Sequence, residues 1–150
     1  MNDRYLYRAK RTDNEEWVEG NLVWSDDADD DYKAIIIPTT DSNMFTRGGA
    51  RGDLGFENWC RVDPSTICQC TGLKDKNGKM IWENDICRRI LLPTKRIKTN
   101  FKIAYVPYKW CISAIDLDGS NITFLSDYIN NQYEVEVIGN IFDNQELLEK

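Results

Sequence analysis

The sequence predicts a mainly β fold, a β-rich α+β domain whose strands form a small, partly open barrel with short helices, one of them C-terminal. Two observations carry this prediction. Aromatic residues make up 11% of the chain, and its aliphatic residues are rich in Ile and Val, which favour strands. Short apolar stretches of strand length also alternate with polar turns. At 150 residues, the chain is long enough for one domain with its own core.

The first third of the chain predicts three strands and two loops. Residues Tyr5–Ala9 and Trp17–Trp24 alternate between apolar and polar side chains, as strands with one buried face do. Between Asp26 and Asp31 the run of like charges predicts a solvated loop. A short apolar strand at Ala34–Ile37 ends at a proline. The glycine-rich segment Thr39–Gly55 predicts an exposed loop with little regular structure.

The centre of the chain predicts two tight turns between strands. Asn77 and Gly78 suit a two-residue hairpin turn, in which both central residues have positive φ. A strand at Met80–Trp82 then leads into a second turn at Glu83–Asp85, followed by a strand over Ile86–Leu92. The structural turn residues are Asn77, Gly78, Asn84 and Asp85.

The last third predicts more strands and a final helix. Lys98–Val106 and Lys109–Leu117 read as a hairpin, and a turn at Asp118 precedes a further short strand. Alternating Glu and Val predict a strand over Glu134–Ile138 with one solvated face. For the helix over Gln145–Lys150, Asn144 is the expected cap.

A resemblance to a known family appears in three stretches of the chain. Thr71–Lys79, followed by Glu83–Ile86, resembles the signature of the YopX-like family, small proteins of phages and prophages. Tyr7–Ala9 with Trp17–Gly20 is similar to its opening strands, and Tyr133–Asn144 to its closing segment. The resemblance implies a phage or prophage origin and a β-rich fold. It implies no established activity and no catalytic residue.

The family resemblance also sets the expected domain organisation. Residues 1–150 are expected to form a single YopX-like domain. Ser25–Cys60 resembles no part of the family, so we expect a variable, loop-rich insertion around residues 25–60.

Catalysis and metal binding have weak support in the sequence. The chain has no histidine, which leaves carboxylates such as Asp85, a lysine or a cysteine as general bases. The spacing Cys68-x-Cys70 is too short for a usual zinc ligand pair, and five cysteines without export predict reduced thiols. Asp116–Asn121 is oxygen-rich but lacks the calcium-loop pattern, so a hairpin turn is preferred. We therefore expect a non-enzymatic protein with no cofactor and no metal.

The expected location is the cytoplasm of a bacterial host cell. The N-terminal residues lack an apolar segment followed by a cleavage site, as a secretory signal would have. No apolar stretch approaches the length of a membrane span, so no membrane contact is expected.

Charge distribution gives a candidate nucleic-acid interface. The net charge is −6, yet the segment Ile86–Ile115 contains no acidic residue. Its basic residues are interleaved with aromatic ones, a combination that binds single-stranded nucleic acid through phosphate contacts and base stacking. The candidate residues are Arg88, Arg89, Lys95, Arg96, Lys98, Lys102, Tyr105 and Lys109.

The same segment also fits a simpler interpretation. Alternation would place Phe101, Ile103 and Tyr105 on a buried face, with the lysines facing water or protecting a sheet edge. Net acidity also argues against non-specific affinity for phosphate. The leading hypothesis is therefore an uncharacterised phage or prophage accessory protein that binds an unknown macromolecular partner or self-associates as a homo-oligomer. A nucleic-acid-binding module is the alternative, and an enzyme using Asp85 or a cysteine ranks third.

Overall fold

A computed structural model describes residues 5–26, 33–39, 44–47 and 52–149. Over these residues the chain forms thirteen strands joined by turns, so the mainly β prediction is confirmed. Contacts divide the chain into two compact units, Met1–Gln69 and Cys70–Lys150, and the boundary falls within one strand.

The first unit is an antiparallel sheet with one separate hairpin. Its strands are β1 (Tyr7–Lys10), β2 (Trp17–Trp24), β3 (Ala34–Pro38), β4 (Met44–Arg47), β5 (Asp53–Phe56), β6 (Cys60–Arg61) and the start of β7 (Cys68–Lys74). The sheet order is β6-β3-β2-β1-β7, while β4 and β5 pair only with each other. Apolar side chains from β1, β3 and the segment after β6 form its core, namely Ala9, Ala34, Ile36 and Val62.

Strand prediction in this unit succeeds at β1, β2 and β3 and fails in the loop that follows. Thr39–Gly55 was expected to lack regular structure, but β4 and the start of β5 lie there. The two strands pair from Met44↔Phe56 to Arg47↔Asp53. Glycines nearby predicted a loop, but antiparallel pairing still gives the backbone N–H and C=O groups of these residues hydrogen-bond partners. Residues 27–32, most of the acidic run, lie outside the described residues, as do 40–43 and 48–51.

The second unit contains a five-stranded antiparallel sheet. The strands of this unit are the end of β7, β8 (Met80–Trp82), β9 (Asp85–Leu91), β10 (Arg96–Val106), β11 (Cys111–Asp116), β12 (Ile122–Thr123) and β13 (Tyr133–Asn140). The sheet order is β12-β11-β10-β9-β13, and β8 pairs with the end of β7. The predicted strand over 86–92 and the hairpin of 98–117 are thus confirmed as β9 and as β10 with β11.

The core of the second unit lies on one face of this sheet. The buried cluster consists of Ile81, Cys87, Phe101, Ile103, Ala114, Leu125, Tyr128 and Val135. Phe101 meets Tyr128 edge to face, with ring centroids 5.0 Å apart. This geometry suits the quadrupoles of two aromatic rings.

The predicted partly open barrel is not confirmed, since the described residues form two antiparallel sheets and no closed barrel. The edge strands β12 and β13 of the five-stranded sheet pair only with β11 and β9, and neither sheet closes on itself. To close the five-stranded sheet into a barrel, the outer edge of β13 would have to form hydrogen bonds with another strand. Part of this edge is instead hydrogen-bonded to the turn after β7.

The predicted short helices, including the C-terminal one, are not confirmed, since only 3₁₀ turns occur within the described chain. These turns are Pro64–Thr66, Pro107–Lys109, Leu125–Tyr128 and Gln145–Leu147. Asn144 occupies the predicted N-cap position of the last turn, but its side chain does not cap it, since Oδ1 accepts a hydrogen bond from the backbone N–H of Asn140 at 3.1 Å instead. Without a cap, one turn of backbone hydrogen bonds is all that forms.

Candidate functional site

The first signature turn is organised by Asp75. The backbone N–H of Gly78 donates to the Asp75 carbonyl at 3.0 Å, and the Asp75 N–H donates to the Lys79 carbonyl at 2.8 Å. Asp75 Oδ1 also accepts from the backbone N–H groups of Asn77 and Lys79, both at 2.9 Å. The aspartate therefore fixes the conformation of the turn from within.

The turn differs in type from the prediction. Gly78 has φ +80°, as expected, but Asn77 does not have a positive φ. The expected two-residue turn is therefore wrong, and the loop has three residues, 76–78. It resembles a type I turn followed by a left-handed glycine, which suits a sequence with Asp at the first position.

The same aspartate also reaches the edge of the five-stranded sheet. Asp75 Oδ2 accepts a hydrogen bond from the backbone N–H of Val137 at 3.0 Å, and the Lys76 N–H donates to the Val135 carbonyl at 2.8 Å. Farther along β13, the Tyr133 N–H donates to Asn130 Oδ1 at 3.2 Å. These bonds occupy outward-facing groups of an eight-residue edge strand that could otherwise pair with another chain.

The second signature turn joins three strands of the second unit. Asn84 has φ +68°, the left-handed conformation that Asn tolerates better than most residues. Its N–H donates to the Ile103 carbonyl at 2.7 Å, and its carbonyl accepts from the Ile141 N–H at 3.0 Å. Asp85 is buried and accepts from the Trp82 N–H at 2.8 Å. Both signature turns thus lock neighbouring strands together.

Cys87 is a fully buried thiol on β9, two residues after Asp85. Burial raises the pKa of the Cys87 thiol, and the nearby charges of Asp85 and Asp75 raise it further. The thiol is protonated at neutral pH, which is the opposite of an activated nucleophile. All five cysteines are free thiols. In the described part of the chain, no three metal-ligating side chains converge.

Two candidate nucleic-acid-binding residues are paired with acidic groups. Arg88 Nε lies 3.4 Å from Glu136 Oε2, and Lys95 Nζ lies 3.0 Å from Glu134 Oε2. Both glutamates lie on β13, which pairs directly with β9. The segment 86–115 lacks acids in the sequence, but the sheet order brings acids from another strand beside it.

Arg89 is enclosed by aromatic rings. Its guanidinium carbon lies 4.2 Å from the centroid of the Tyr128 ring and 5.0 Å from that of Tyr133. Its Nη2 donates to Thr99 Oγ1 at 3.3 Å. A guanidinium stacked in this way is already engaged within the fold.

The remaining basic candidates are spread along β10 and its turn. Arg96 and Lys98 are exposed at one end of the strand, whereas Lys102 is half-buried. Lys109 lies beyond the other end, where its Nζ donates to the Ile122 carbonyl at 3.0 Å and lies 5.3 Å from the Phe124 ring centroid. An 11-residue strand spans roughly 35 Å, so these charges do not form one compact patch.

The predicted buried face of β10 is confirmed at two positions and wrong at the third. Phe101 and Ile103 are fully buried in the core, but Tyr105 is 47% exposed. Tyr105 pairs with Ile112 near the end of the hairpin.

Exposed aromatic residues cluster in sequence at this end of the hairpin. We call Tyr105, Tyr108 and Trp110 the aromatic tip; Tyr108 is 70% exposed and Trp110 84% exposed. Trp110 closes the 3₁₀ turn Pro107–Lys109 and has φ +54°, a conformation uncommon for a large side chain. The nucleic-acid interpretation of the sequence required accessible rings in this segment, but it did not single out Tyr108 and Trp110 as the most exposed ones.

The family and one solved structure can be compared with this geometry. The model of the YopX family, described as YopX protein, matches residues 6–149. The chain belongs to the YopX family. This confirms the resemblance carried by the signature turns, and it places both compact units within one family match. No curated protein matches the chain.

Among solved structures, this YopX-family chain is similar to protein EF1440 from Enterococcus faecalis. The two are 28% identical with a TM-score of 0.58, and the match covers 95% of this chain and 96% of the other. The similarity therefore extends over nearly the full length of both proteins. In the described residues, no helix is long and apolar enough to cross a membrane.

Proposed function

We propose that this YopX-family chain is a non-enzymatic phage or prophage accessory protein that acts in the host cytoplasm by binding a macromolecule through the aromatic tip. The observation that carries the proposal is the exposure of Tyr108 and Trp110 on one tight turn. Tyr and Trp are the residues that most often supply binding energy at interfaces.

Backbone conformation supports a role for the tip beyond folding. Trp110 adopts a left-handed conformation that costs roughly 1–2 kcal/mol for a residue with a Cβ. Its side chain offsets little of that cost by burial, because it is 84% exposed. Such strain on an exposed ring is expected where a partner later covers it.

The non-enzymatic part of the proposal is supported by how the catalytic candidates are used. Asp75 and Asp85 accept backbone hydrogen bonds that hold turns, and burial keeps the Cys87 thiol protonated. The two carboxylates thus stabilise turns, and the thiol is not activated as a nucleophile.

The edge strands β12 and β13 of the five-stranded sheet are poorly suited to pairing with a second copy of the chain. Bonds from the turn after β7 cover part of β13, and β12 has only two residues, one of which accepts from Lys109. Short or covered edges disfavour strand pairing between copies. Strand pairing between copies along these two edges is therefore disfavoured.

Site-specific photocrosslinking tests the proposal. Tyr108 is replaced by the photoreactive p-benzoylphenylalanine, and the full chain is irradiated in a lysate of the cells it comes from. The expected result is a discrete adduct whose class is read by nuclease and protease sensitivity and by mass. The matched control carries the same group at Trp59, a half-exposed aromatic residue of the first unit.

Three adduct patterns decide the outcome. A protein or nucleic-acid adduct formed at position 108 and not at 59 supports the proposal, and an adduct of twice the chain mass identifies self-association. Equal labelling at both positions, or none at either, overturns the tip as the contact surface.

A further inference from the structure

We propose that the aromatic tip binds single-stranded nucleic acid, with unpaired bases stacking on Tyr108 and Trp110 and phosphates lying near Lys102 and Lys109. The inference rests on the proposed function, since it assigns a chemical class to the partner of the same surface. It differs from the sequence-based interface in centring on the exposed rings, because Arg88, Arg89 and Lys95 of that interface are engaged within the fold. Lys109 donates one hydrogen bond to the Ile122 carbonyl, and an ammonium group has three donors.

Ring exposure is the first argument for this partner. Three rings on one hairpin end are accessible, and two of them are more than two-thirds exposed. Stacking requires an open ring face and tolerates any base. Bases of a duplex are already stacked on each other, so open rings select for a single strand.

Local charge is the second argument. Lys109 lies in the turn that carries the tip, and Lys102 lies on β10 three residues before Tyr105. The single acidic residue of the β10–β11 hairpin, Asp116, is buried at the end away from the tip. The glutamates that neutralise Arg88 and Lys95 lie on β13, and that strand pairs with β9 and not with this hairpin. The tip is therefore locally basic on a chain of net charge −6, which suits a polyanion.

Symmetry disfavours a second copy as the occupant. A two-fold contact puts the same patch on both sides of an interface. Tip against tip would bring Lys102 and Lys109 of each copy toward like charges. A nucleic acid meets the same lysines with opposite charge.

The interaction has an expected size and salt dependence. Removing one stacked ring is expected to weaken binding about tenfold, since base stacking on aromatic side chains falls in that range. Two lysines near phosphates predict a slope of about −1.4 for log affinity against log salt, which is shallow for a nucleic-acid-binding protein. Stacking would thus provide most of the affinity.

Fluorescence anisotropy on the full chain tests the inference. The probes are labelled twelve-residue oligonucleotides, oligo(dT) and oligo(rA), and a twelve-base-pair DNA duplex, each at two salt concentrations. Tyr108→Ala and Trp110→Ala are compared with Trp59→Ala, the matched loss of an aromatic ring in the other unit. Thermal unfolding of each variant confirms that it folds.

The expected result is binding to single strands, weaker binding to the duplex, and about tenfold loss in each tip variant but not in Trp59→Ala. No binding to either single strand at low salt overturns the inference, as does equal binding by the tip variants. A protein adduct at position 108 in the crosslinking experiment, with no oligonucleotide binding, would overturn this inference and leave the proposed function standing. Failure of both experiments would overturn both.

Discussion

The carboxylate of Asp75 accepts a hydrogen bond from the backbone N–H of Val137, at 3.0 Å and across 62 residues of sequence. Its other oxygen accepts from Asn77 and Lys79 within the turn. One buried carboxylate therefore holds a hairpin in shape and attaches it to the edge strand of the sheet. This double task explains an aspartate in the family signature without any catalytic role.

Asp75→Asn is expected to lower the free energy of unfolding by about 1–3 kcal/mol. The amide keeps one acceptor oxygen, but its NH₂ group cannot accept from Val137, so one of the two attachments is lost. Urea unfolding of the variant measures the change. Glu19→Gln on exposed β2 is the matched control and should stay within about 0.5 kcal/mol of the parent. If Asp75→Asn changed the free energy of unfolding as little as Glu19→Gln does, the hydrogen bond from Val137 to Asp75 would not contribute to stability.

Gly78→Val is expected to destabilise the chain by roughly 1–2 kcal/mol, because a β-branched residue resists φ +80°. At the second turn, Asn84→Gly should be tolerated, since glycine adopts φ +68° without steric cost. Thermal unfolding of the two variants separates the cases. Unchanged stability of Gly78→Val would contradict the turn assignment.

These turns show what the sequence could and could not predict. Local chemistry identified Gly78 as a left-handed position and Asn84 as a turn residue, and alternation placed β9 and the β10–β11 hairpin. The partners of Asp75, Arg88 and Lys95 were missed because all three bonds reach β13, about 40 to 60 residues away in sequence. Strand order decides such contacts, and alternation within one strand carries no information about it.

The same limit explains the errors in the fold and in the candidate site. A barrel and an open sheet share the alternation of apolar and polar residues, so closure could not be predicted from it. Tyr105 shares the alternation of Phe101 and Ile103 but is 47% exposed, because burial depends on what packs against each position and alternation does not show that. The sequence thus predicted which residues form turns, but not which side chains the turns leave exposed.

Tyr128 is expected to make stability fall at alkaline pH. Burial and then the hydrogen bond from its hydroxyl to Asp116 at 2.9 Å raise its pKa to about 12, from the ordinary value of 10.0. The folded state therefore holds the neutral phenol more strongly than the unfolded state does. That stabilisation is complete below pH 10 and is lost as the pH rises from about 10 through about 12.

Urea unfolding between pH 8 and 12 measures this effect. Tyr128→Phe should lower stability at pH 8 by about 1 kcal/mol, through the lost hydrogen bond, and should flatten the alkaline decline. Exposed Tyr108→Phe is the control and should follow the parent curve. Parallel curves for the parent and Tyr128→Phe would show that Tyr128 does not cause the decline.

Cys87 is expected to resist alkylation in the folded protein. Its thiol is fully buried and its pKa is raised, so little thiolate is present at pH 7.5. Cys60 and Cys111 are only half-buried and should react first. Peptide mapping after a timed pulse of iodoacetamide gives the order, and labelling in urea confirms that all five thiols can react. Rapid labelling of native Cys87 would revive the possibility of a nucleophilic cysteine.

Trp110→Gly is expected to separate stability from binding. Glycine relieves the left-handed strain at φ +54°, worth roughly 1–2 kcal/mol, but adds about 0.4–1 kcal/mol of unfolded-state entropy. Little burial is lost, because the ring is 84% exposed. The net change in unfolding free energy should therefore lie between zero and about +1.6 kcal/mol, while the ring proposed to contact the partner is removed.

The matched control is Glu15→Gly, an exposed position in the first unit with φ +59°. It should gain similar stability and keep full crosslinking and oligonucleotide binding at the tip. If Trp110→Gly instead lost stability, the tryptophan would be part of the fold and its exposure would need no partner. A stable variant that no longer binds would mean that Trp110 contributes to binding of the partner and not to folding.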